Sequence, residues 1–168
     1  MPMRHTLPRF ALISLIYSSA FAAFVVAAAD QTPASASSPI SSEDVAFFEN
    51  AAQTGLTEVA AARIATERSW SNDVKAFAKT MNTDHTANNK DLAVLAERKG
   101  VTLPAALDDL HRKTLSDLQA ADAKQFDVAY AADMAQGHQD AIALFSIAAS
   151  QSKDADVRAF AAKNPADT

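Results

Sequence analysis

Apolar side chains recur at intervals of three and four residues along most of the chain beyond residue 42, a spacing that places them on one face of an α-helix. The first such segment runs from Ser42 to Arg68, and a second follows from Ser71 to Lys99. Gly100 is suited to end the second helix in the left-handed conformation. The predicted apolar faces comprise Val45, Phe48, Ala52, Leu56 and Val59 in the first helix and Val74, Phe77, Met81, Leu92 and Leu95 in the second.

The Ser69-Trp70-Ser71 segment separates these two helices and predicts a hairpin, with Trp70 packed in the turn. Residues 100–122 then contain Pro104 and several leucines, which indicates a short helix inside a long connection. A third long helix is expected over residues 123–150 and a short fourth helix after Lys153, ended by Asn164-Pro165. The apolar face of the third helix comprises Phe126, Tyr130, Met134, Ala141, Phe145 and Ala148.

An internal repeat relates the two halves of the chain. Residues 72–78 align with residues 155–161 at an offset of 83, and the dipeptides Ile64-Ala65 and Ile147-Ala148 share this offset. A helix of about 28 residues is about 42 Å long, so a parallel return needs a connection of comparable reach. The sequence therefore predicts an all-α, ferritin-like up-down-down-up four-helix bundle with a short crossover helix and a truncated fourth helix.

The first 42 residues differ in character from the rest. Arg4 and Arg9 precede an uncharged run, Phe10 to Ala29, that ends in three alanines before Asp30, as in a secretory signal peptide. We expect residues 1–29 to be cleaved off after Ala29, residues 30–42 to be a disordered linker rich in Ser, Ala and Pro, and residues 43–168 to form the bundle. The alternative is a retained membrane anchor, because about 20 apolar residues can span a bilayer; three serines and a tyrosine in the run argue against it.

Charge and composition narrow the classes of function. Without the leader, 13 basic residues remain against 20 acidic ones, a net charge of −7 that disfavours nucleic acid and anionic membranes. The chain has no cysteine, which excludes disulfides, thiolate metal sites and cysteine nucleophiles. Because of the negative charge we expect no nucleic-acid partner. The sequence also has no Gly-rich phosphate loop and no Gly-flanked nucleophilic serine, so we expect no phosphoryl-transfer or acyl-transfer motif.

Two histidines stand on predicted apolar faces. His85 lies four residues after Met81, and His138 lies four residues after Met134, so both should project into the bundle. Folding the first hairpin at residue 70 places His85 near Glu58. Two imidazoles with carboxylates are suitable ligands for one divalent ion such as zinc or iron. The candidate metal ligands are His85, His138, Glu58 and Asp84, with Glu49 as a further carboxylate.

A complete di-iron site is not expected, because such sites need two Glu-x-x-His motifs. Asn82 stands three residues before His85, and Ala135 stands three residues before His138. The alternative is purely structural: each half-buried histidine is hydrogen-bonded to an acid or a carbonyl and fixes the helix register. His111, beside Arg112, is expected to face solvent.

Several short motifs in the same order resemble a bacterial exported family, the domain of unknown function 4142. They cover about residues 43–163 and comprise Phe47-Phe48, Gly55-Leu56-Thr57-Glu58-Val59, Val74-Lys75-Ala76-Phe77-Ala78, Thr83-Asp84-His85, Lys99-Gly100-Val101-Thr102-Leu103-Pro104, Met134, His138 and Ala143-Leu144-Phe145. The resemblance implies a ferritin-like bundle in the periplasm or outside the cell, sometimes labelled a putative outer membrane protein, with no established activity. It also implies a longer last helix with a further histidine, whose position in the repeat is Thr168 here.

Two functional hypotheses follow. The first is an exported, non-catalytic envelope, stress-related or interaction module with no cofactor. The second is a degenerate metal-binding or redox protein that uses His85 and His138 with the flanking carboxylates. In either case we expect no membrane association after signal cleavage. Self-association is expected through the apolar surface that a short fourth helix leaves uncovered.

Overall fold

A computed structural model describes residues 39–164, and in this part of the chain it is all-helical. The predicted signal peptide and nearly all of the predicted linker lie outside the described residues. None of the described helices is both long and apolar enough to cross a bilayer. The five described helices are α1 (Ser42–Arg68), α2 (Asn72–Lys99), α3 (Asp109–Ala120), α4 (Phe126–Gln151) and α5 (Ala155–Lys163).

Local sequence signals set most of the helix ends. The Ser41 hydroxyl accepts a hydrogen bond from the Asp44 N–H at the start of α1, and Ser71 accepts one from the Val74 N–H at the start of α2. Gly100 ends α2 with a φ of 68°, the left-handed conformation predicted for it. These caps confirm the bounds expected for the first two helices.

The start of α4 differs from the prediction by three residues. The helix begins at Phe126, whereas the sequence placed its start at residue 123. The Asp122 side chain accepts a hydrogen bond from the Lys124 N–H at 2.9 Å and so holds residues 123–125 in a turn. A short polar side chain bonded to its neighbouring backbone competes with helix formation, which accounts for the later start.

Two apolar clusters show how the long helices run. One cluster joins the start of α1 to the ends of α2 and α4 and to α5, with Phe48, Leu95, Phe145 and Val157 among its members. The other joins the end of α1 to the starts of α2 and α4 and to α3. Helix α1 is therefore antiparallel to both α2 and α4, and α2 and α4 run in the same direction.

The connection that contains α3 is fixed along α1 at both ends. The Gln53 amide donates to the carbonyl of Ala106 at 3.0 Å and accepts from the Asp108 N–H at 3.1 Å. At the other end the Arg68 guanidinium donates to the carbonyls of Leu118 and Ala121. This connection spans the length that a parallel return from α2 to α4 requires.

Three predicted core residues are not in the core. Leu56 is 37% exposed, Phe77 is 45% exposed and Trp70 is 85% exposed. The buried face of α1 is rotated towards its alanines, which let the neighbouring helices approach closely. Phe77 packs one edge on Tyr130 and leaves the other in solvent. Ser69, and not Trp70, occupies the inside of the hairpin turn, where it is almost fully buried.

Candidate metal centre

Glu58 lies at the centre of a three-helix junction with only 4% of its surface exposed. Its Oε2 is 2.7 Å from Nδ1 of His85 on α2, and its Oε1 is 3.7 Å from Nδ1 of His138 on α4. One potential ligand atom from each of the three residues lies within 4.8 Å of the other two. The fold therefore brings together three of the four side chains that the sequence singled out.

One glycine lets α1 and α2 approach at this level, and a second glycine faces the Glu58 carboxylate. A Cβ added to Gly55 on α1 would lie 1.9 Å from Oδ1 of Asn89 on α2, so any larger residue would displace that amide. A Cβ on Gly137 of α4 would lie 3.4 Å from Glu58 Oε1. Glycine in a helix interior costs about 1 kcal/mol relative to alanine. At Gly55 the absence of a side chain permits the close approach of α2, whereas Gly137 leaves room for a methyl group.

The hydrogen bonds of the two histidines define which nitrogens remain free. Nδ1 of His138 lies 2.7 Å from the carbonyl oxygen of Met134, which can only accept, so Nδ1 carries the proton and donates it there. The Nε2 lone pair of His138 is thereby left for another partner. Nδ1 of His85 lies 2.7 Å from the Glu58 carboxylate, which can only accept, so Nδ1 donates there and Nε2 lies on the side of the ring that faces away from Glu58.

Three buried acceptor atoms around this junction have no hydrogen-bond donor. They are Oε1 of Glu58, Nε2 of His85 and Oδ1 of Asn88. Leaving one buried polar group unsatisfied costs about 1–3 kcal/mol. Because all three atoms accept and none donates, the junction is suited to a positively charged or hydrogen-donating occupant.

The three residues border a partly open cavity of about 130 Å³. Ala51, Ala141 and Phe145 supply its apolar walls, whereas Asp84 and Asn88 extend its polar side along α2. The cavity lies between α1, α2 and α4, and Asn164, which follows the end of α5, also lines it. It therefore gives an occupant of the junction access to solvent.

The remaining candidates are placed away from the junction or at its edge. Asp84 lines the cavity but is exposed and does not belong to the three-residue cluster. Glu49 is exposed and does not line the cavity, so the structure does not support it as a ligand. His111 is half-buried on α3, where its Nδ1 is 2.7 Å from Asp108. Hydrogen bonds from the His111 backbone and ring lower the pKa of Asp108.

Two contributors to the site were not singled out from the sequence. Asn88 lies three residues after His85 and so shares its helix face, a spacing that could have identified it. Gly137 directly precedes His138 in the middle of a helix, where glycine is costly and therefore informative. The backbone carbonyl of Met134 gives no sequence signal beyond lying one turn before His138.

The negative charge of Glu58 affects the pKa of a nearby tyrosine, Tyr130. Burial, together with the negative charge of Glu58, raises the pKa of Tyr130 to about 12. The Tyr130 hydroxyl is buried and has no hydrogen-bond partner among the described residues. The Glu58 carboxylate is therefore close enough to Tyr130 to oppose ionisation of its hydroxyl.

Comparison with known proteins identifies the family. No curated protein and no solved structure matches the chain. A family model described as "Domain of unknown function (DUF4142)" matches residues 29–167, which is most of the chain and includes every residue of the junction. The protein therefore belongs to the DUF4142 family, as the order of its short motifs indicated.

Proposed function

We propose that this protein binds one divalent transition-metal ion, zinc or iron, through Glu58, His85 and His138. The observation that carries the proposal is the cluster itself: ligand atoms of all three residues lie within 4.8 Å of one another, and the buried Glu58 Oε1 has no donor. A cation held beside Glu58 would give Oε1 the partner that it lacks. No rearrangement of the helices is required to bring the three side chains together.

The donor set fits such an ion. Two imidazoles and one carboxylate are the protein ligands of many catalytic zinc sites and of non-haem iron sites. Metal-bound histidines usually donate their second ring N–H to a carbonyl or carboxylate, which fixes the ring. His138 already makes this contact with the Met134 carbonyl. Its Nε2 is thereby prepared to bind a metal.

The competing function is a non-catalytic envelope, stress-related or interaction module in which the histidines only fix helix register. This hypothesis accounts for the hydrogen bond between His85 and Glu58. It leaves the second carboxylate oxygen of Glu58 and the second nitrogen of His85 without partners. The metal hypothesis supplies a partner for Glu58 Oε1, and for that reason we prefer it.

The setting that we propose is a ferritin-like up-down-down-up bundle acting in the periplasm or outside the cell. In such bundles, metal sites are built in the core from side chains on facing helices, as Glu58, His85 and His138 would be. Residues 1–29 would serve as the signal peptide. N-terminal sequencing of the exported protein should give Asp30 as the first residue, and a start at Met1 would refute cleavage.

Calorimetric titration of metal-free protein, purified without a histidine tag, tests metal binding. We expect one equivalent of Zn²⁺ to bind and to raise the melting temperature, because binding stabilises only the folded state. His85→Ala and His138→Ala should each abolish stoichiometric binding. His111→Ala is the matched control, since His111 pairs with Asp108 on α3, and it should bind as the wild type does.

Less than about a tenth of an equivalent of either Zn²⁺ or anaerobic Fe²⁺ bound to the folded wild type would overturn the proposal. Equal losses of binding in all three histidine variants would do so too, because they would place the metal elsewhere. Circular dichroism of each variant verifies that the helices are retained.

A further inference from the structure

The junction supplies three protein ligands, one fewer than a tetrahedral ion needs. Structural zinc sites are closed by four protein ligands, whereas sites with three keep a position for water or substrate. In the described part of the chain the cluster contains Glu58, His85 and His138 and no fourth His or acidic residue. Asp84, the nearest candidate in the sequence, is exposed at the cavity lining.

The size of the adjoining cavity limits what the open position can accept. Its volume is about 130 Å³, whereas sites for drug-sized ligands measure roughly 300–1,000 Å³. A few water molecules or a small inorganic anion fit this space. Ala51, Ala141 and Phe145 form the apolar part of the wall and offer no hydrogen bonds to a larger polar substrate.

Asn88 provides a partner for a water molecule bound at the open position. Asn88 lines the same cavity, and its Oδ1 is buried and has no donor. A metal-bound water has two O–H groups to donate, and Asn88 Oδ1 is an acceptor that lacks a donor. A hydrogen bond from this water would give Asn88 Oδ1 the donor that it lacks.

We infer that the metal centre keeps one exchangeable coordination position facing this cavity, that water occupies it at rest, and that small inorganic anions displace that water. Asn88 acts as a positioning residue by accepting a hydrogen bond from the water. This inference rests on the proposed metal-binding function. It adds to that function a ligand class, small inorganic anions, and excludes a closed, purely structural ion.

Cobalt(II) substitution with azide as the probe tests the inference, because the visible absorption of cobalt(II) reports its coordination. The wild type should bind one equivalent of Co²⁺, and azide should then change the visible spectrum saturably at a ratio of one to one. Failure to bind Co²⁺ or Zn²⁺ refutes the proposed function itself. Stoichiometric Co²⁺ binding with no response to azide refutes only the open position.

Asp84→Ala distinguishes an open site from one that Asp84 closes. With an open site, this variant binds Co²⁺ and azide as the wild type does. If Asp84 is instead the fourth ligand, the wild type does not respond to azide, whereas Asp84→Ala loses metal affinity and gains the response. The second pattern would overturn the inference.

Asn88→Ala tests the positioning role. Displacing an ordered water that has lost its hydrogen bond is easier, so the azide dissociation constant should fall by roughly fivefold. Asn89→Ala is the matched control, because the neighbouring Asn89 contacts Gly55 and does not line this cavity. Equal azide affinities in the two variants would overturn the role of Asn88. Circular dichroism and Co²⁺ stoichiometry verify that both variants are folded and loaded.

Discussion

Glu58 on α1 accepts a hydrogen bond from Nδ1 of His85 on α2 at 2.7 Å, while its other oxygen, Oε1, has no donor although it lies 3.7 Å from Nδ1 of His138 on α4. One carboxylate thus contacts both neighbouring helices but is satisfied by only one of them. Since His138 donates to the Met134 carbonyl instead, an added cation is the simplest partner for Oε1.

Glu58→Gln should therefore impair metal binding while preserving the fold. Glutamine has the same shape and can still accept from His85, but it has no charge with which to bind a metal. Removing an outer partner of a metal ligand costs 10–100-fold in affinity, so loss of a ligand should weaken Zn²⁺ binding by at least about 100-fold. Calorimetry on Glu58→Gln and on the exposed control Glu49→Gln measures the difference. An unchanged affinity in Glu58→Gln would exclude Glu58 as a ligand.

The helix bounds were predictable because short-range chemistry determines them. Ser41 and Ser71 cap α1 and α2 through their hydroxyl groups, and Gly100 ends α2 because it adopts a positive φ. Counting equal numbers of residues back from the hairpin turn placed His85 level with Gly55 and near Glu58. Both kinds of information are present in a single helix or hairpin.

Features that depend on how three helices meet were not predictable in this way. Periodicity assigned Leu56 and Phe77 to the core, but a small rotation of each helix leaves both partly in solvent. Gly137 and Asn88 contribute to the site only because α4 and α2 approach α1 at the level of Glu58. The spacing of residues along one helix does not indicate how closely the neighbouring helices approach it.

Trp70 provides a check on the corrected hairpin turn. It is the only tryptophan in the chain, and it is 85% exposed. Its fluorescence should therefore be fully quenched by acrylamide in the folded protein, with an emission maximum close to that of free tryptophan. Trp70→Ala should change the free energy of unfolding by less than about 0.5 kcal/mol. A blue-shifted, protected emission would instead support packing in the turn.

An ion-pair cluster joins the end of α2 to the start of α5. Nζ of Lys99 lies 2.7 Å from a carboxylate oxygen of Asp154 and 2.7 Å from one of Asp156. Hydrogen bonds to Asp154 and Asp156 raise the pKa of Lys99. Burial acts to raise the pKa of Asp154, but hydrogen bonds from Lys99 and from backbone N–H groups of α5 outweigh it and lower that pKa.

Lys99→Met should destabilise the protein by about 1 kcal/mol near neutral pH, the upper range for pairs that remain partly solvated. The lowered pKa of Asp154 means that its contribution is lost as the pH falls below the ordinary value of 3.8. The raised pKa of Lys99 means that its contribution is lost as the pH rises beyond 10.5. The difference between wild type and variant should thus be largest between these values.

Urea unfolding across this pH range measures the difference, and Lys113→Met is the matched control. Lys113 pairs with Asp117 on the surface of α3, where the two side chains are 70% and 65% exposed. Such pairs contribute little, so Lys113→Met should change stability by less than about 0.5 kcal/mol. Equal effects of the two substitutions would show that the Lys99 cluster does not hold α5 in place.

The two glycines at the junction should respond oppositely to alanine. Gly137→Ala adds a methyl group 3.4 Å from Glu58 Oε1, an ordinary contact, and should stabilise α4 by up to about 1 kcal/mol through helix propensity. Gly55→Ala places a methyl group 1.9 Å from the Asn89 amide oxygen, so Asn89 must be displaced. We expect the second variant to melt below the wild type and the first above it. Thermal unfolding of the metal-free proteins measures both, and the reverse order would contradict the close approach at Gly55.

Tyr130 makes the stability of the folded protein depend on pH in the alkaline range. Burial and the charge of Glu58 raise its pKa to about 12 from an ordinary 10.0, so between these pH values the unfolded chain loses a proton that the folded protein retains. The folded state then binds more protons than the unfolded state, and stability must decline as the pH rises through this interval.

Tyr130→Phe removes both this titration and a buried hydroxyl that has no partner. At neutral pH the variant should be as stable as the wild type or more so, because no hydrogen bond is lost. Between pH 10 and pH 12 the wild type should lose up to about 2 kcal/mol more than the variant, at most about 1.4 kcal/mol per pH unit. The deprotonation of Lys99 occurs in both proteins and cancels in the comparison. Parallel stability curves for the two proteins would show that the Tyr130 hydroxyl is solvated and does not feel the charge of Glu58.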